Sequence, residues 1–142
     1  MCAVDNYYQG IKIYVKKISI TNMKKLTCQC GGVEIEVKLP DDLGKLMRCN
    51  CSICKRKSAT MSMIGKDDLK IVKGEGLLKT YQYHTKVAKH YFCSICGIYT
   101  HHNPRSNPAM TGFNLGCIDE IDTFDLKNIA INDGYNHPLD KE

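Results

Sequence analysis

Seven of the nine cysteines in this 142-residue chain fall into three short clusters, and this spacing constrains the fold more than any other feature. The clusters are Cys28-Cys30, Cys49-Cys51-Cys54 and Cys93-Cys96. Thiols two or three residues apart can face one metal ion, because a tight turn brings both sulfurs to about 2.3 Å from zinc. Cysteines separated by one residue rarely have the Cα spacing and Cβ direction that a disulfide demands. The clustered thiols are therefore predicted to be metal ligands.

The number of clustered thiols predicts two zinc ions per chain, one in a closed site and one with an open position. Seven is one fewer than two closed sites need, and it equals four plus three. The CxC and CxxC pairs lie early and late in the chain, so together they would tie distant segments through a structural zinc. Either pair could instead combine with two thiols of the middle cluster. The favoured assignment leaves the middle cluster intact and gives the structural zinc to Cys28, Cys30, Cys93 and Cys96.

The middle cluster has the pattern of a catalytic zinc site. Cys49, Cys51 and Cys54 lie within six residues, and three protein ligands with an exchangeable fourth position are typical of catalytic zinc. Three basic residues follow at once, and their charge would lower the pKa values of the thiols. Lys55 and Arg56 are predicted to bind the carboxylates of an anionic substrate. The alternative for these residues, with Lys57, is a solvated turn without a ligand.

A second structural zinc is the competing interpretation of the middle cluster. Its fourth ligand would then come from Cys117, His90, His101 or His102. Cys117 lies between a glycine and an isoleucine, a setting more typical of a buried apolar residue. The paired histidines lie at the end of a predicted strand beside the asparagine-rich loop. They could line a pocket there, but they are expected to be partly exposed. Cys2 is expected to be a free thiol, and His84 and His137 to be surface residues.

Composition and charge limit the compartment and the partners. No apolar run approaches the 18 residues of a membrane span, and the first residues lack the apolar core of a signal peptide. Clustered thiols in such a chain indicate a reducing compartment, which predicts the cytoplasm, with the nucleus as the alternative. The net charge is +5. The lysines are scattered rather than massed, which argues against a nucleic-acid partner and predicts no membrane partner.

Short alternating segments separated by glycine and proline predict an all-β fold, a sandwich of short strands with knuckle hairpins. Residues 33–39 alternate strictly between apolar and charged side chains, and Pro40 ends the strand. Residues 87–92 and 98–101 flank the CxxC as the arms of a hairpin. Residues 1–22 are interpreted as an N-terminal extension, either a flexible arm or an added strand at 11–15. Residues 23–142 form the predicted zinc-binding domain.

The order of these motifs resembles one protein family. CxC-GG, CxCxxC with basic residues and a serine, FCxxCG, an Asn-Pro loop and the segment GFNLGCID follow one another over residues 24–125. This order resembles the glutathione-dependent formaldehyde-activating enzyme and centromere protein V family. The chain departs from many bacterial members after the basic pair, where it has Lys57-Ser58-Ala59 instead of Ser-Gly. The departure leaves the substrate open and the zinc ligands unaffected.

The resemblance implies a fold, two metal sites and a reaction. The fold would be the zinc-binding β-tent, like that of a guanine-nucleotide-exchange chaperone for Rab GTPases. The four thiols of the CxC and CxxC pairs would hold the structural zinc, and Cys49, Cys51 and Cys54 the catalytic zinc. The family enzyme condenses formaldehyde with glutathione to S-hydroxymethylglutathione, and its members are classed as carbon–sulfur lyases.

Two hypotheses about function follow. The favoured one is a zinc-dependent enzyme of the carbon–sulfur lyase type that brings a small-molecule thiol such as glutathione beside a small aldehyde. The alternative is an exchange-chaperone-like binding module for a protein or nucleic-acid partner, with both zinc ions structural. The segment that includes Tyr81 and Tyr83 supports the module, because bases stack on interleaved aromatic and basic residues. A pocket beside an open metal position would favour the enzyme.

Overall fold

The computed structural model describes residues 22–140, and short β-strands dominate this part of the protein. The predicted all-β fold class is confirmed. The strand considered at residues 11–15, and nearly all of the N-terminal extension, lie outside the described residues. Within residues 22–140, no helix is both long enough and apolar enough to cross a membrane.

The ten strands of the described region form two sheets. The strands are β1 (Asn22–Thr27), β2 (Glu34–Leu39), β3 (Met47–Cys49), β4 (Met61–Gly65), β5 (Leu69–Lys73), β6 (Leu78–Tyr81), β7 (Lys89–Cys93), β8 (Tyr99–Asn103), β9 (Met110–Asn114) and β10 (Ala130–Asn132). The smaller sheet has the order β1-β2-β5, and the larger has the order β10-β3-β4-β9-β8-β7-β6. All pairs are antiparallel except the edge pair of β10 and β3.

The apolar core lies where the two sheets face each other. Strand β2 follows the predicted alternation, since Ile35, Val37 and Leu39 are buried and the residues between them are not. These side chains belong to one cluster with Phe113 of β9 and Leu115 beyond it. Burying a large apolar side chain stabilises a fold by about 1.5–3 kcal/mol. The inner face of the smaller sheet is thus held on the larger sheet.

The predicted hairpin around the CxxC motif is present as β7 and β8. His90 lies opposite His102 and Tyr91 opposite His101, and the register shifts by one residue as the strands approach the turn. Because neighbouring residues of a strand point to opposite faces, His101 and His102 lie on opposite faces of the larger sheet. His101 lies opposite Phe113 of β9, on the core face.

One short helix, α1 (Ser52–Lys57), carries the end of the middle cysteine cluster. Cys51 precedes the helix in an extended conformation. Ser58 follows its last residue with a left-handed φ of +53°, which ends the helix. Residues three apart lie on the same face of a helix. Cys54 and Lys57 therefore share a face of the helix. Lys55 and Arg56 lie on other faces, so the three basic residues have different surroundings. An irregular solvated turn would give all three similar surroundings.

Candidate metal centres and the adjoining cavity

The first candidate metal centre joins the two sheets. It consists of Cys28, Cys30, Cys93 and Cys96, whose sulfur atoms all lie within 4.8 Å of one another. Cys28 follows β1 of the smaller sheet, whereas Cys93 ends β7 of the larger sheet. Both are at most 2% exposed, while Cys30 is exposed at the rim. The early and late cysteine pairs thus converge, as their order in the sequence predicted.

Glycines close both turns of this centre. Gly31 has a φ of +73° and Gly97 a φ of +75°, a left-handed conformation that costs glycine little because it has no Cβ. The Gly31 N–H donates to the Cys28 carbonyl oxygen at 3.0 Å, and the Gly97 N–H to the Cys93 carbonyl oxygen at 2.8 Å. Each turn folds back on its own first cysteine and brings the two thiols of the pair together.

The donor set of the first centre fits a tetrahedral metal ion. Four sulfurs at about 2.3 Å from zinc would lie about 3.8 Å apart. Cys28 Sγ is 3.6 Å from Cys30 Sγ, and Cys30 Sγ is 3.8 Å from Cys93 Sγ. The Val33 N–H donates to Cys28 Sγ at 3.2 Å, and backbone hydrogen bonds from Cys30 and Ile98 lower the pKa of Cys96 to about 6. The lowered pKa of Cys96 favours its thiolate, the form that binds metal.

The second candidate centre has three thiols. Cys49 ends β3, Cys51 precedes α1, and Cys54 lies in its first turn; their sulfurs also lie within 4.8 Å of one another. Hydrogen bonds with Cys49 and Cys54 hold the pKa of Cys51 well below its usual range, and hydrogen bonds with Cys49 and Cys51 raise that of Cys54. The shared hydrogen bonds therefore favour the thiolate form of Cys51. Among residues 22–140, this group of potential ligands contains no fourth member.

The segment after β10 packs directly on the three thiols. The Asn50 side chain donates to Asp133 at 2.9 Å and accepts from the Tyr135 N–H at 2.8 Å. Asn132 Nδ2 lies 3.7 Å from Cys49 Sγ. At Gly134 the backbone comes so close that an added Cβ would lie 2.5 Å from Cys49 Sγ. The cluster is thus held by a segment more than 80 residues away in sequence.

A cavity of about 250 Å³ opens beside this second centre. All three of its thiols contribute to the wall, together with Met61 and Met63 of β4. Five other segments contribute to the lining: the connection from β6 to β7, strand β7, strand β8, the loop after β8, and residues 132–140. The thiols therefore face a space that can hold a small molecule.

A cluster of ionisable groups lines another part of this cavity. Arg105, in the loop after β8, donates to the Asp140 carboxylate at 2.6 Å, and His84 Nε2 lies 3.3 Å from the same carboxylate oxygen. The hydrogen bond from Arg105 lowers the pKa of Asp140. Arg105 is only 15% exposed. The cavity thus offers a partly desolvated cation together with the thiols.

Lys57 and three aromatic residues form a buried network against the cavity. Lys57 Nζ lies 2.8 Å from His90 Nδ1 and 3.8 Å from the centroid of the Tyr99 ring. Tyr99 Oη lies 2.5 Å from His102 Nδ1. Burial lowers the pKa of Lys57 to about 8, that of His90 to about 4 and that of His102 to about 3. At neutral pH a charged lysine therefore faces two neutral imidazoles.

The structure places the other predicted site residues as follows. Lys55 is exposed and borders a separate shallow hollow, and Arg56 is exposed and donates to the Ser52 carbonyl oxygen at 2.8 Å. Neither residue lines the cavity that holds the thiols. Cys117 is buried as expected at 6% exposure, and its thiol approaches the Tyr99 carbonyl oxygen at 3.6 Å. It belongs to neither thiol group among the described residues.

The expectations for four histidines need correction or extension. His101 and His102 are 5% and 8% exposed, so the prediction that they are partly exposed is wrong. Both are buried because β8 is an inner strand of the larger sheet, between β7 and β9. His84 is at the surface as expected and His137 is partly buried, but both also line the cavity.

Sequence reasoning considered Lys57 only as part of a basic turn, and His90 and His102 only as possible fourth ligands of a second structural zinc. A short helix after Cys51 would have set Lys57 on the face of Cys54, three residues away. Counting outward from the CxxC would have paired His90 with His101, and the register shift between Tyr91 and Phe92 places it opposite His102 instead. No local signal indicated Arg105 and Asp140, which are 35 residues apart.

Two comparisons with known proteins show what the chain is similar to. Residues 23–131 match the family model of the glutathione-dependent formaldehyde-activating enzyme. A Rhodobacter sphaeroides protein of known crystal structure is similar in fold, with a TM-score of 0.72 and 42% sequence identity. The similarity covers 76% of this chain and 99% of that chain. Residues 132–140, which close one side of the cavity, lie beyond the family match.

Proposed function

The chain belongs to the glutathione-dependent formaldehyde-activating enzyme family, and from this premise we propose that it joins a glutathione-like thiol to a small aldehyde. The product would be a hemithioacetal of the S-hydroxymethylglutathione type. The reverse reaction, which releases the aldehyde, is a carbon–sulfur lyase step. The observation that carries the proposal is the cavity, because the three-thiol group with metal-ligand spacing forms part of its wall.

The residues present fit two zinc ions with different roles. Cys28, Cys30, Cys93 and Cys96 would hold a structural zinc, since four sulfurs complete a tetrahedral shell. Cys49, Cys51 and Cys54 would hold the second. Zinc bound by three thiolates supplies an exchangeable position at which an external thiol binds as its thiolate at neutral pH.

The protein's own contribution is to position the two reactants. Met47, Met61 and Met63 give the cavity apolar surface next to the thiols. The substrate thiolate is the nucleophile, so no cysteine of the chain needs to form a covalent intermediate. Holding thiolate and aldehyde in contact removes much of the entropic cost of bringing two molecules together.

A glutathione-like thiol also carries carboxylates, and Arg105 is the cation in this cavity best placed for one. It is mostly buried, and its planar guanidinium suits a carboxylate. Its partner in the structure is the Asp140 carboxylate, at 2.6 Å. Lys55 and Arg56, the residues predicted from sequence, would influence such a substrate only through the longer-range field, because they border a different hollow or donate to local backbone.

The binding-module alternative has one supporting observation. Tyr81 and Tyr83 stack with their ring centroids 5.9 Å apart and are 50% and 36% exposed, which is the kind of surface on which bases stack. However, Tyr83 also lines the cavity beside the thiols. A small-molecule site therefore explains the position of Tyr83 as well as the binding module does. It also explains why the three-thiol group lies in the same cavity.

Cobalt substitution tests the proposed function through the open position. In protein loaded with cobalt at both sites, glutathione should raise the sulfur-to-cobalt charge-transfer absorption, because a fourth thiolate completes the shell of the Cys49, Cys51 and Cys54 site. The effect should saturate, and it should strengthen with pH as the added thiol ionises. S-methylglutathione, which has the same charges and no free thiol, is the matched control and should leave the spectrum unchanged. A spectrum that does not respond to millimolar glutathione would contradict the proposal.

A further inference from the structure

Two buried imidazoles on the cavity face are not needed to hold a metal ion or to anchor a carboxylate. His90 of β7 and His102 of β8 lie directly opposite each other, so both side chains project from the same face. Their rings stack with centroids 5.6 Å apart, and both line the cavity with the thiols. His102 also lies opposite Gly112 of β9, where an added Cβ would overlap its ring. The glycine leaves room for the ring on the sheet.

The contact with Lys57 determines which nitrogen of His90 carries the proton. Lys57 Nζ is 2.8 Å from His90 Nδ1. An ammonium group can only donate hydrogen bonds, so Nδ1 is the acceptor in this contact. The face of the Tyr99 ring, 3.8 Å from Nζ, stabilises the charged lysine. A neutral ring that accepts at Nδ1 carries its hydrogen on Nε2.

The contact with Tyr99 gives His102 the same tautomer as His90. Tyr99 Oη is 2.5 Å from His102 Nδ1 and 3.6 Å from Met61 Sδ. Burial raises the pKa of Tyr99 well above its usual value, so the hydroxyl keeps its proton. An imidazole nitrogen is a much stronger acceptor than a thioether sulfur, so the hydroxyl donates to Nδ1. The hydrogen of His102 therefore also lies on Nε2.

Both Nε2–H groups are free to donate to a molecule in the cavity. No hydrogen bond within residues 22–140 engages the Nε2 atom of His90 or His102. In the same part of the chain, no fully buried side-chain nitrogen or oxygen lacks a partner. Both Nε2 atoms must therefore be accessible from the cavity that the rings line.

This arrangement is the reverse of a metal-binding histidine. A ligating imidazole offers an unprotonated nitrogen to the metal and donates from the other nitrogen to a carboxylate or carbonyl oxygen. Here the other nitrogen of each ring accepts a hydrogen bond, so the free nitrogen is protonated. His90 and His102 are thus poorly suited to complete the three-thiol site and well suited to donate hydrogen bonds.

We propose that His90 and His102 are a pair of neutral hydrogen-bond donors that receive the oxygen of the aldehyde beside the thiol substrate. The inference rests on the proposed function and adds the residues that act on the second reactant. The substrate thiolate attacks the carbonyl carbon and forms the carbon–sulfur bond, while the π electrons of the carbonyl move to its oxygen. The two Nε2–H groups stabilise that negative oxygen, which then takes a proton from water. The net reaction converts RSH and the aldehyde into a hemithioacetal. The proton that the thiol releases to solvent on ionisation balances the proton that the oxygen takes from water.

The first experiment observes the tautomers without any assay of activity. Two-bond proton–nitrogen correlation spectra of ¹⁵N-labelled, zinc-loaded protein should show both His90 and His102 with hydrogen on Nε2 at neutral pH. Signals are assigned from His90→Gln and His102→Gln. In Lys57→Met, His90 should lose its single tautomer while His102 keeps its own. A hydrogen on Nδ1 of either ring, or a charged ring at neutral pH, would overturn the inference.

The second experiment measures turnover with glutathione and formaldehyde. Removing one donor to a developing oxyanion lowers kcat by about 100-fold to 1000-fold, so we expect a loss of this size in His90→Leu and in His102→Leu. The glutamine variants retain an N–H group near the position of Nε2 and should recover part of the loss. Glutathione binding, followed by the cobalt spectrum, should remain, which also shows that the variants are folded.

His101→Leu is the matched control. His101 is the next residue on the same strand and is equally buried, but it lies on the core face, where it stacks on Tyr91 at 4.4 Å and contacts Thr100 Oγ1 at 2.9 Å. Its replacement should change stability and leave kcat near the wild-type value. If the wild type is active and His90→Leu keeps its kcat, the donor pair is wrong and the proposed function stands. If the wild type turns over no aldehyde and thiol, the proposed function fails and the donor role fails with it.

Discussion

Gly134 marks the tightest contact between the three-thiol centre and the rest of the protein. A Cβ at this position would lie 2.5 Å from Cys49 Sγ and 2.8 Å from the Cys51 Cβ. Cys49 Sγ is a ligand atom that a bound metal would fix, and the Cys51 Cβ is attached directly to the backbone, so the ligand loop itself would have to move. Overpacking of this kind costs about 1–3 kcal/mol. One methyl group behind the ligands can therefore disturb the centre without removing a ligand.

We expect Gly134→Ala to lose the second metal ion selectively. Metal analysis of fully reduced protein should fall from about two ions per chain toward one, because the displaced loop no longer holds three sulfurs on one tetrahedron. Gly76→Ala is the control, since a Cβ there would meet no atom within 4 Å, and it should keep both ions. If Gly134→Ala keeps the wild-type metal content, the loop accommodates the added methyl group and the prediction is wrong.

The two metal centres relate differently to the elements around them. The first joins the end of β1 in the smaller sheet to the β7–β8 hairpin of the larger sheet. The second lies within one connection, between β3 and α1. A ligand that links distant segments contributes to folding through the metal, and apparent metal binding energies in small zinc domains are about 10 kcal/mol or more. A ligand within one loop orders mainly that loop.

We therefore expect Cys28→Ser to destabilise the protein far more than Cys51→Ser. Loss of a structural metal centre belongs to the changes that cost about 4 kcal/mol or more, whereas Cys51→Ser should cost about 1 kcal/mol and abolish turnover. Thermal or denaturant unfolding of the zinc-loaded variants measures both. Cys117→Ala removes a buried thiol that belongs to neither group and provides the reference for a packing defect alone. Equal destabilisation by Cys28→Ser and Cys51→Ser would indicate two structural metals.

At the scale of the whole molecule, the cavity is assembled from segments far apart in the chain. Its lining reaches from Met47 in β3 to Asp140 in the last described turn. The ion pair between Arg105 and Asp140 and the hydrogen bonds of Asn50 tie residues 132–140 across it. The three-thiol centre faces this solvent-accessible space, whereas the first centre shields two of its thiols almost completely. The accessibility of the two metals should differ accordingly.

Stepwise chelation should remove the two ions in sequence. The ion at Cys49, Cys51 and Cys54 should leave first, because no protein ligand fills its fourth coordination position. The chelator can also reach this ion through the cavity. The ion at the four-thiol centre should survive mild chelation, with the fold intact by circular dichroism. Metal content and circular dichroism are measured at each chelator concentration. Simultaneous loss of both ions, or a stoichiometry that never exceeds one in reduced protein, would contradict this expectation.

Local sequence determined the strands and the grouping of the ligands. Alternation at residues 33–39 predicted β2, and the CxxC predicted the turn of the β7–β8 hairpin, because side-chain period and knuckle spacing depend on neighbouring residues alone. Convergence of the CxC and CxxC pairs was predicted because four thiols make a closed tetrahedral shell. These inferences needed no knowledge of which segments meet in space.

Only the tertiary structure decided what surrounds the three thiols. Lys57 rather than Lys55 or Arg56 faces inward, because a short helix turns it onto the face of Cys54. His101 and His102 are buried on opposite faces, because β9 covers one edge of β8 and β7 the other. Arg105 meets Asp140 across 35 residues. Burial and long-range pairing arise from the packing of the two sheets, and no local pattern of residues encodes them.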